Sequence, residues 1–118
     1  MEALNNILNT IISKGEITYR QINYLIRESE TLKIDVSKEL CDYDIKLNEE
    51  DAEKELKWLR TRKNIELCGW REKNTISKAT KKDIIFKGLH KYGNHMYEPY
   101  YYLGEIAYLH GNRISIVG

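Results

Sequence analysis

The stretch Asn48–Trp70, NEEDAEKELKWLRTRKNIELCGW, predicts a helix that leads into a strand. Asn48 can accept a hydrogen bond from an amide of the first turn, which is typical of an N-cap residue. Acidic residues follow at once, at the positive end of the helix dipole, and basic residues stand at its negative end. The apolar residues fall on one helical face, with one aromatic side chain on its flank: Ala52, Leu56, Leu59 and, flanking them, Trp58.

The end of this stretch predicts where the helix stops. Asn64 can take a left-handed backbone conformation and end the helix. Ile65, Leu67 and Trp70 then follow in a short strand-like run, and the segment REKNT at 71–75 indicates a turn. A cluster of positive charge is therefore expected where the helix meets the strand.

Two helices are expected before this stretch. Apolar residues at helical spacing, from Leu4 to Ile12, predict a first helix that ends at Gly15. Thr18 and Gln21 have the spacing of a capping box, so a second helix is expected from about Tyr19 to Arg27 or slightly beyond. Residues 29–47 stay open: Leu32, Ile34 and Val36 alternate as in a strand, whereas Ser37 could cap a short helix through Leu40 and Cys41.

Residues 80–118 predict a further helix and a hairpin. Thr80 and Asp83 have capping-box spacing, and apolar residues then recur at helical period over 84–92, although IIFKGL also fits a strand. The helix is the favoured prediction. The tail over 100–117 is rich in β-branched and aromatic residues around Gly111–Asn112, which is typical of a hairpin.

These elements predict an α+β fold of about four helices and a small antiparallel sheet in one domain, 1–118. No apolar run approaches the roughly 20 residues that cross a bilayer, and the N-terminus lacks the basic start of a signal peptide. The two cysteines, Cys41 and Cys68, do not form a disulfide framework. We therefore expect free thiols, a cytoplasmic protein and no membrane partner.

Charge is distributed unevenly along the chain. Residues 1–53 carry a net charge of −6, residues 54–91 carry +8 and residues 92–118 carry −1. A basic block beside an acidic one favours contact with nucleic acid. The alternative is that the two blocks pair with each other in the fold.

The order of elements resembles a winged helix-turn-helix domain over about residues 3–79. IISKGEITYRQINYLI at 11–26 and LKWLRTRKNIELCGW at 56–70 are similar to two of its passages, from first to second helix and from third helix to wing. The resemblance implies a winged-helix-like core, with 80–118 as a C-terminal helix and hairpin extension. It also implies that the third helix enters the major groove of DNA and that the wing touches the backbone. Lys57, Arg60, Arg62 and Lys63 would then lie on or near the recognition helix, and Arg71 and Lys73 on the wing.

Further basic residues extend the candidate nucleic-acid surface beyond the wing. Lys78, Lys81 and Lys82 complete the set, since phosphate binding needs long, flexible cations that release condensed counterions. A solvated lysine-rich face is the alternative.

Tyrosines Tyr97, Tyr100, Tyr101 and Tyr102 form a candidate protein interface. Such rings could also stack on the bases of single-stranded nucleic acid, or simply alternate in a half-buried hairpin.

The sequence contains no recognisable catalytic motif, no metal-ligand spacing and no cofactor loop. We therefore expect no enzyme activity, no metal and no cofactor. The leading hypothesis is a small nucleic-acid-binding protein, with DNA the favoured ligand. The alternative is a protein-interaction module, such as a phage or mobile-element factor that modulates a host protein. A homodimer is compatible with both, because a hairpin offers an edge.

Overall fold

The computed structural model describes residues 2–66, 68–94, 96–110 and 114–116. Within these ranges the chain forms five α-helices and a six-stranded sheet, which confirms the α+β prediction. The helices are α1 (Glu2–Lys14), α2 (Tyr19–Leu32), α3 (Glu49–Leu59), α4 (Arg62–Glu66) and α5 (Trp70–Lys78). The strands are β1 (Glu16–Ile17), β2 (Ile45–Leu47), β3 (Ile84–Tyr92), β4 (Met96–Leu103), β5 (Ile106–His110) and β6 (Ile114–Ile116).

The predicted end of α1 and the predicted starts of α2 and α3 are confirmed. Gly15 follows α1 with a φ of +64°, and Thr18 and Gln21 form both bonds of the capping box that opens α2. The side chain of Asn48 accepts a hydrogen bond from the amide of Asp51 at the start of α3. Helix α2 runs further than expected, to Leu32, because Lys33 supplies the left-handed cap that ends it.

The predicted strand over 65–70 is wrong, because the chain forms two helices after α3. Asn64 does not end α3 in a left-handed conformation; it lies inside α4, where its side-chain amide donates to the carbonyl of Trp58. Trp70 opens α5 with 82% of its surface exposed, so it contributes no strand side chain to the core. The buried apolar residue of α5 is Ile76. The segment REKNT, predicted as a turn, lies within this helix.

The favoured helix over 84–92 is also wrong, since these residues form β3. Ile84 and Phe86 alternate toward the core, and Gly88 has a φ of +135°, which a helix cannot accommodate. The register between β3 and β4 shifts between Phe86 and Gly88, where a bulge adds Lys87 to one strand. The capping box at Thr80–Asp83 does form, but it opens one turn of 3-10 helix, Lys81–Asp83, before the strand.

The sheet is mixed rather than purely antiparallel. Its strands follow the order β1-β2-β3-β4-β5-β6, and only β1 and β2 pair in parallel. Antiparallel pairing of β5 with β6 agrees with the predicted hairpin, while its expected turn at Gly111–Asn112 lies outside the described residues. Residues 29–47 hold a short 3-10 helix, Lys38–Leu40, and strand β2.

One hydrophobic cluster draws on both 3–79 and 80–118. Leu8 and Leu25 from the first helices lie in the same cluster as Phe86, Tyr101 and Tyr108 from the sheet. Tyr101 stacks on Tyr108 with ring centroids 5.5 Å apart, and Phe86 meets Tyr101 edge-on at 6.0 Å. The C-terminal strands therefore form the centre of the fold.

A buried carboxylate lies at the contact between α3 and this aromatic group. Glu55 is 0% exposed and accepts hydrogen bonds from the hydroxyls of Tyr19 and Tyr108, the latter at 2.8 Å. One turn earlier on α3, Asp51 accepts a bond of 2.8 Å from the backbone amide of Tyr19. The start of α2 is thus tied to α3 twice, and β5 is tied to the same carboxylate.

No described helix is long and apolar enough to cross a membrane.

Replacing Tyr108 with Phe removes one donor from Glu55 and leaves a buried carboxylate less well satisfied. We expect Tyr108→Phe to lower the free energy of unfolding by about 1.5–3 kcal/mol, measured by urea denaturation. Tyr97→Phe is the matched control, because Tyr97 is also buried but its hydroxyl has no hydrogen bond within the described residues. Equal losses for the two variants would contradict the role given to Glu55.

Alkaline pH is expected to destabilise the fold through the same tyrosines. Burial and the nearby Glu55 raise the pKa of Tyr101 and Tyr108 well above the ordinary 10.0. The unfolded chain ionises first, so the contribution of these tyrosines to the free energy of unfolding is constant below about pH 10 and falls as the pH rises beyond it. Urea denaturation against pH, with tyrosinate absorbance as second probe, checks this. Ionisation of both tyrosines while the protein remains folded would contradict it.

Candidate functional site

A cleft of about 790 Å³ opens between the edge of the sheet and the end of α3. One side is formed by the turn after α1 with β1 and β2, and the other by α3, the end of α5 and the 3-10 turn at Lys81–Asp83. Its lining contains five cationic side chains, from Lys14, Lys46, Arg60, Lys81 and Lys82, and two carboxylates, from Glu16 and Glu49. Leu47, Leu56 and Ala79 add an apolar surface.

Backbone pairing brings Lys14 and Lys46 to the same side of the cleft. The turn at Gly15 ends α1 directly after Lys14, and the carbonyl of Gly15 accepts a bond of 3.0 Å from the amide of Lys46. Parallel pairing of β1 with β2 sets Glu16 opposite Lys46. Two lysines that are 32 positions apart in the sequence thus become neighbours.

The opposite side is shaped by the turn that follows α5. The carboxylate of Asp83 accepts bonds from the amide of Thr80 at 2.7 Å and from its hydroxyl at 3.2 Å. This closed turn presents Lys81 and Lys82 to the cleft. The capping-box spacing of Thr80 and Asp83 therefore predicts the turn that contains both lysines, although a strand and not a helix follows it.

Arg60 fastens this turn to the end of α3. Its Nε and Nη2 donate to the carbonyl of Ile76 at 3.3 and 3.2 Å, and Nη2 also donates to the carbonyl of Ala79 at 2.8 Å. These carbonyls lie at the C-terminus of α5, where a helix leaves acceptors without partners and favours positive charge. Arg60, predicted to contact nucleic acid, therefore also has a structural role.

The charge of the cleft is only partly neutralised by the protein itself. Lys81 lies 3.4 Å from Glu49 and 3.9 Å from Glu53. Within the described residues, no carboxylate lies within ion-pair distance of Lys14, Lys46 or Lys82. An anionic ligand could thus bind these three lysines without breaking an ion pair within the protein.

The other predicted basic residues lie outside the cleft. They are exposed on the helices, with Lys57 on α3, Arg62 and Lys63 on α4, and Arg71, Lys73 and Lys78 on α5. Arg62 pairs with Glu66 at 2.8 Å, and Lys57 lies 3.9 Å from Glu53. Of the nine predicted residues, Arg60, Lys81 and Lys82 are brought together in the cleft.

Lys14 and Lys46 are lining residues that the sequence reasoning missed. Both fall in the acidic block 1–53, so the charge profile offered no signal for them. Pairing of β1 with β2 could have revealed them, but a two-residue strand carries too little pattern to predict a partner.

The predicted tyrosine interface is divided between two faces of the sheet. Tyr97 and Tyr101 are buried in the core of this chain, so their assignment to a protein interface is wrong. Side chains alternate along β4, and Tyr102 therefore points to the opposite face with Tyr100. Only these two remain available to a ligand or partner.

Other kinds of site find little support in the described part of the chain. No group of three or more His, Cys, Asp or Glu residues there could hold a metal ion. Cys41 and Cys68 are free thiols. Burial and the nearby Glu72 raise the pKa of the Cys68 thiol, which is the opposite of what a nucleophilic cysteine requires.

Comparison with known proteins gives no family, since no family model, curated protein or solved structure matches this chain.

The role of Arg60 as a clamp can be tested by stability. Arg60→Ala removes the donors at the end of α5, and we expect the free energy of unfolding to fall by about 1–2 kcal/mol, measured by urea denaturation. The control is Lys57→Ala on the same helix, with an exposed side chain and one long ion pair, which should change stability by less than about 0.5 kcal/mol. A loss at Lys57 as large as that at Arg60 would contradict the clamp.

Proposed function

We propose that this protein is a non-enzymatic, cytoplasmic nucleic-acid-binding protein whose cleft holds the phosphate backbone of DNA. The observation that carries the proposal is the convergence of Lys14, Lys46 and Lys82, without ion-pair partners in the described structure, on one cleft. Lysines from three separate segments give a groove of positive charge. Phosphates of a strand would release counterions there.

The cleft is a better candidate for the phosphates than the exposed face of α3. Besides Glu49, which also lines the cleft, that face carries Glu50 and Glu53 against two lysines, Lys54 and Lys57. Inserting three carboxylates among phosphates is unfavourable, because like charges repel at short range. The winged-helix resemblance remains a prediction, and the proposal does not need α3 to read a major groove.

A protein-interaction module, such as a phage factor acting on a host protein, is the second candidate. What supports it is the apolar tip of the β3–β4 hairpin, where the cross-strand partners Tyr92 and Met96 are 43% and 48% exposed. A tip of this kind could contact a host protein or a second copy of the chain.

Neutralising the three lysines tests the proposal. We expect the triple variant Lys14→Gln, Lys46→Gln, Lys82→Gln to bind DNA more weakly and to reduce the slope of log affinity against log salt by about 2, since each phosphate contact contributes about 0.7 on single strands. The measurement is fluorescence anisotropy of labelled single- and double-stranded DNA over about 50–200 mM salt.

The matched control removes the same charge from the helical surface, through Lys63→Gln, Arg71→Gln and Lys73→Gln. These residues are exposed and lie outside the cleft. Their loss should leave the slope almost unchanged. If the helical triple weakens binding and the cleft triple does not, the binding surface is the one first predicted around 57–73. If wild-type protein binds no DNA at low salt, the proposed function is wrong.

A further inference from the structure

A row of paired residues connects the cleft with the outer face of the sheet. Lys46 on β2 is in register with Ile85 on β3, and Ile85 is in register with Tyr102 on β4. Cross-strand partners share a face, so the side chains of all three lie opposite the core. Since neighbouring strands are about 4.8 Å apart, Tyr102 lies about 10 Å from Lys46 along this row.

The ring of Tyr102 is accessible and held in place. It is 38% exposed and meets the ring of Tyr100 edge-on, with centroids 5.7 Å apart and an angle of 83° between the rings. The Nζ of Lys87 lies 5.5 Å from its centroid, within the range of a cation–π contact. Asp44, 3.0 Å from the same Nζ, holds the lysine in this position.

The bulge in β3 explains why Lys87 can reach this ring. Phe86 pairs with Tyr101 and Gly88 with Tyr100, which leaves Lys87 as the extra residue on its strand. The bulge thereby adds a cation to the row of Lys46, Ile85 and Tyr102. The outer face thus combines an accessible aromatic ring with two lysines, one of which also lines the cleft.

Tyr100 adds no negative charge to this face at neutral pH. Burial, followed by the hydrogen bond with Tyr102, raises the pKa of Tyr100 to about 12. An accessible aromatic ring beside cations can receive the face of a base, and stacking of this kind does not depend on sequence.

We infer that the ligand is single-stranded nucleic acid, with phosphates in the cleft and a base stacked on Tyr102. The inference rests on the proposed function and specifies its ligand. Bases inside a duplex are stacked on each other and expose only their edges in the grooves. A strand that runs from the cleft past Lys46 can instead turn a free base toward Tyr102. The base would stack on the part of the ring that Lys87 does not cover.

The test compares a thymidine oligonucleotide with an abasic oligonucleotide of equal length, which has the same phosphates but no bases. Tyr102→Ala should weaken binding of the thymidine strand by about 5- to 150-fold, the range measured for loss of one base–aromatic stack. Affinity for the abasic strand should not change. Tyr102→Phe keeps the ring and should bind both strands as wild type does.

Tyr92→Ala is the matched control, since Tyr92 is 43% exposed but lies at the tip of the β3–β4 hairpin. It should bind both strands as wild type does. The inference is overturned if wild-type protein binds both strands equally and Tyr102→Ala changes neither affinity, or if duplex DNA of the same length binds more tightly than the thymidine strand. In those cases the proposed function survives. If wild-type protein binds neither of these strands nor the duplex, the proposed function fails together with this inference.

Discussion

Taking a carboxylate out of water is costly unless hydrogen-bond donors replace the solvent, and Glu55 meets this constraint at the centre of the molecule. Tyr19 from the first turn of α2 and Tyr108 from β5 both donate to it. Asp51, one turn before it on α3, binds the backbone of Tyr19 as well. Each donor comes from a different part of the chain, so the position of α3 is specified by polar contacts as well as by apolar packing. A shift of α3 along the sheet would leave these buried polar groups without partners, which is costly.

The cleft depends on the position of α3. Leu56, the residue after Glu55, faces the cleft, and Arg60, one turn later, clamps the end of α5. Lys81 and Lys82 follow directly from that clamped end, while Lys14 and Lys46 are held on the other side by the Gly15 turn. The two sides are therefore fixed by backbone pairing at the sheet edge and by α3 with its arginine. A groove built in this way holds its cations apart before a ligand arrives, which lowers the entropic cost of binding.

The sequence predicts the helix caps and turns, because these depend on residues that lie close together in the chain. The capping residues Asn48 and Thr18 and the turn at Gly15 are all found where they were expected. The prediction of a helix over 84–92 is wrong because the apolar residues there fit the period of a helix as well as that of a strand. Pairing with β4, in which Phe86 lies opposite Tyr101, makes this segment a strand. The cleft could not be predicted, because it is formed by long-range contacts, such as the pairing of β1 with β2, that leave no local pattern in the sequence. Glu55 did carry a signal, since it lies between Ala52 and Leu56 on the apolar face of α3, where a carboxylate implies a buried donor.

The central claim is that the cleft, and not the basic surface of α4 and α5, receives the nucleic acid. Chemical-shift mapping tests it most directly: ¹⁵N-labelled protein is titrated with a short single-stranded thymidine oligonucleotide, and the change at every backbone amide is recorded. We expect the largest changes at Gly15, Lys46 and Lys82, with smaller ones continuing along the sheet to Tyr102. Changes concentrated at Lys63, Arg71 and Lys73, with the amides of the cleft unmoved, would contradict the account.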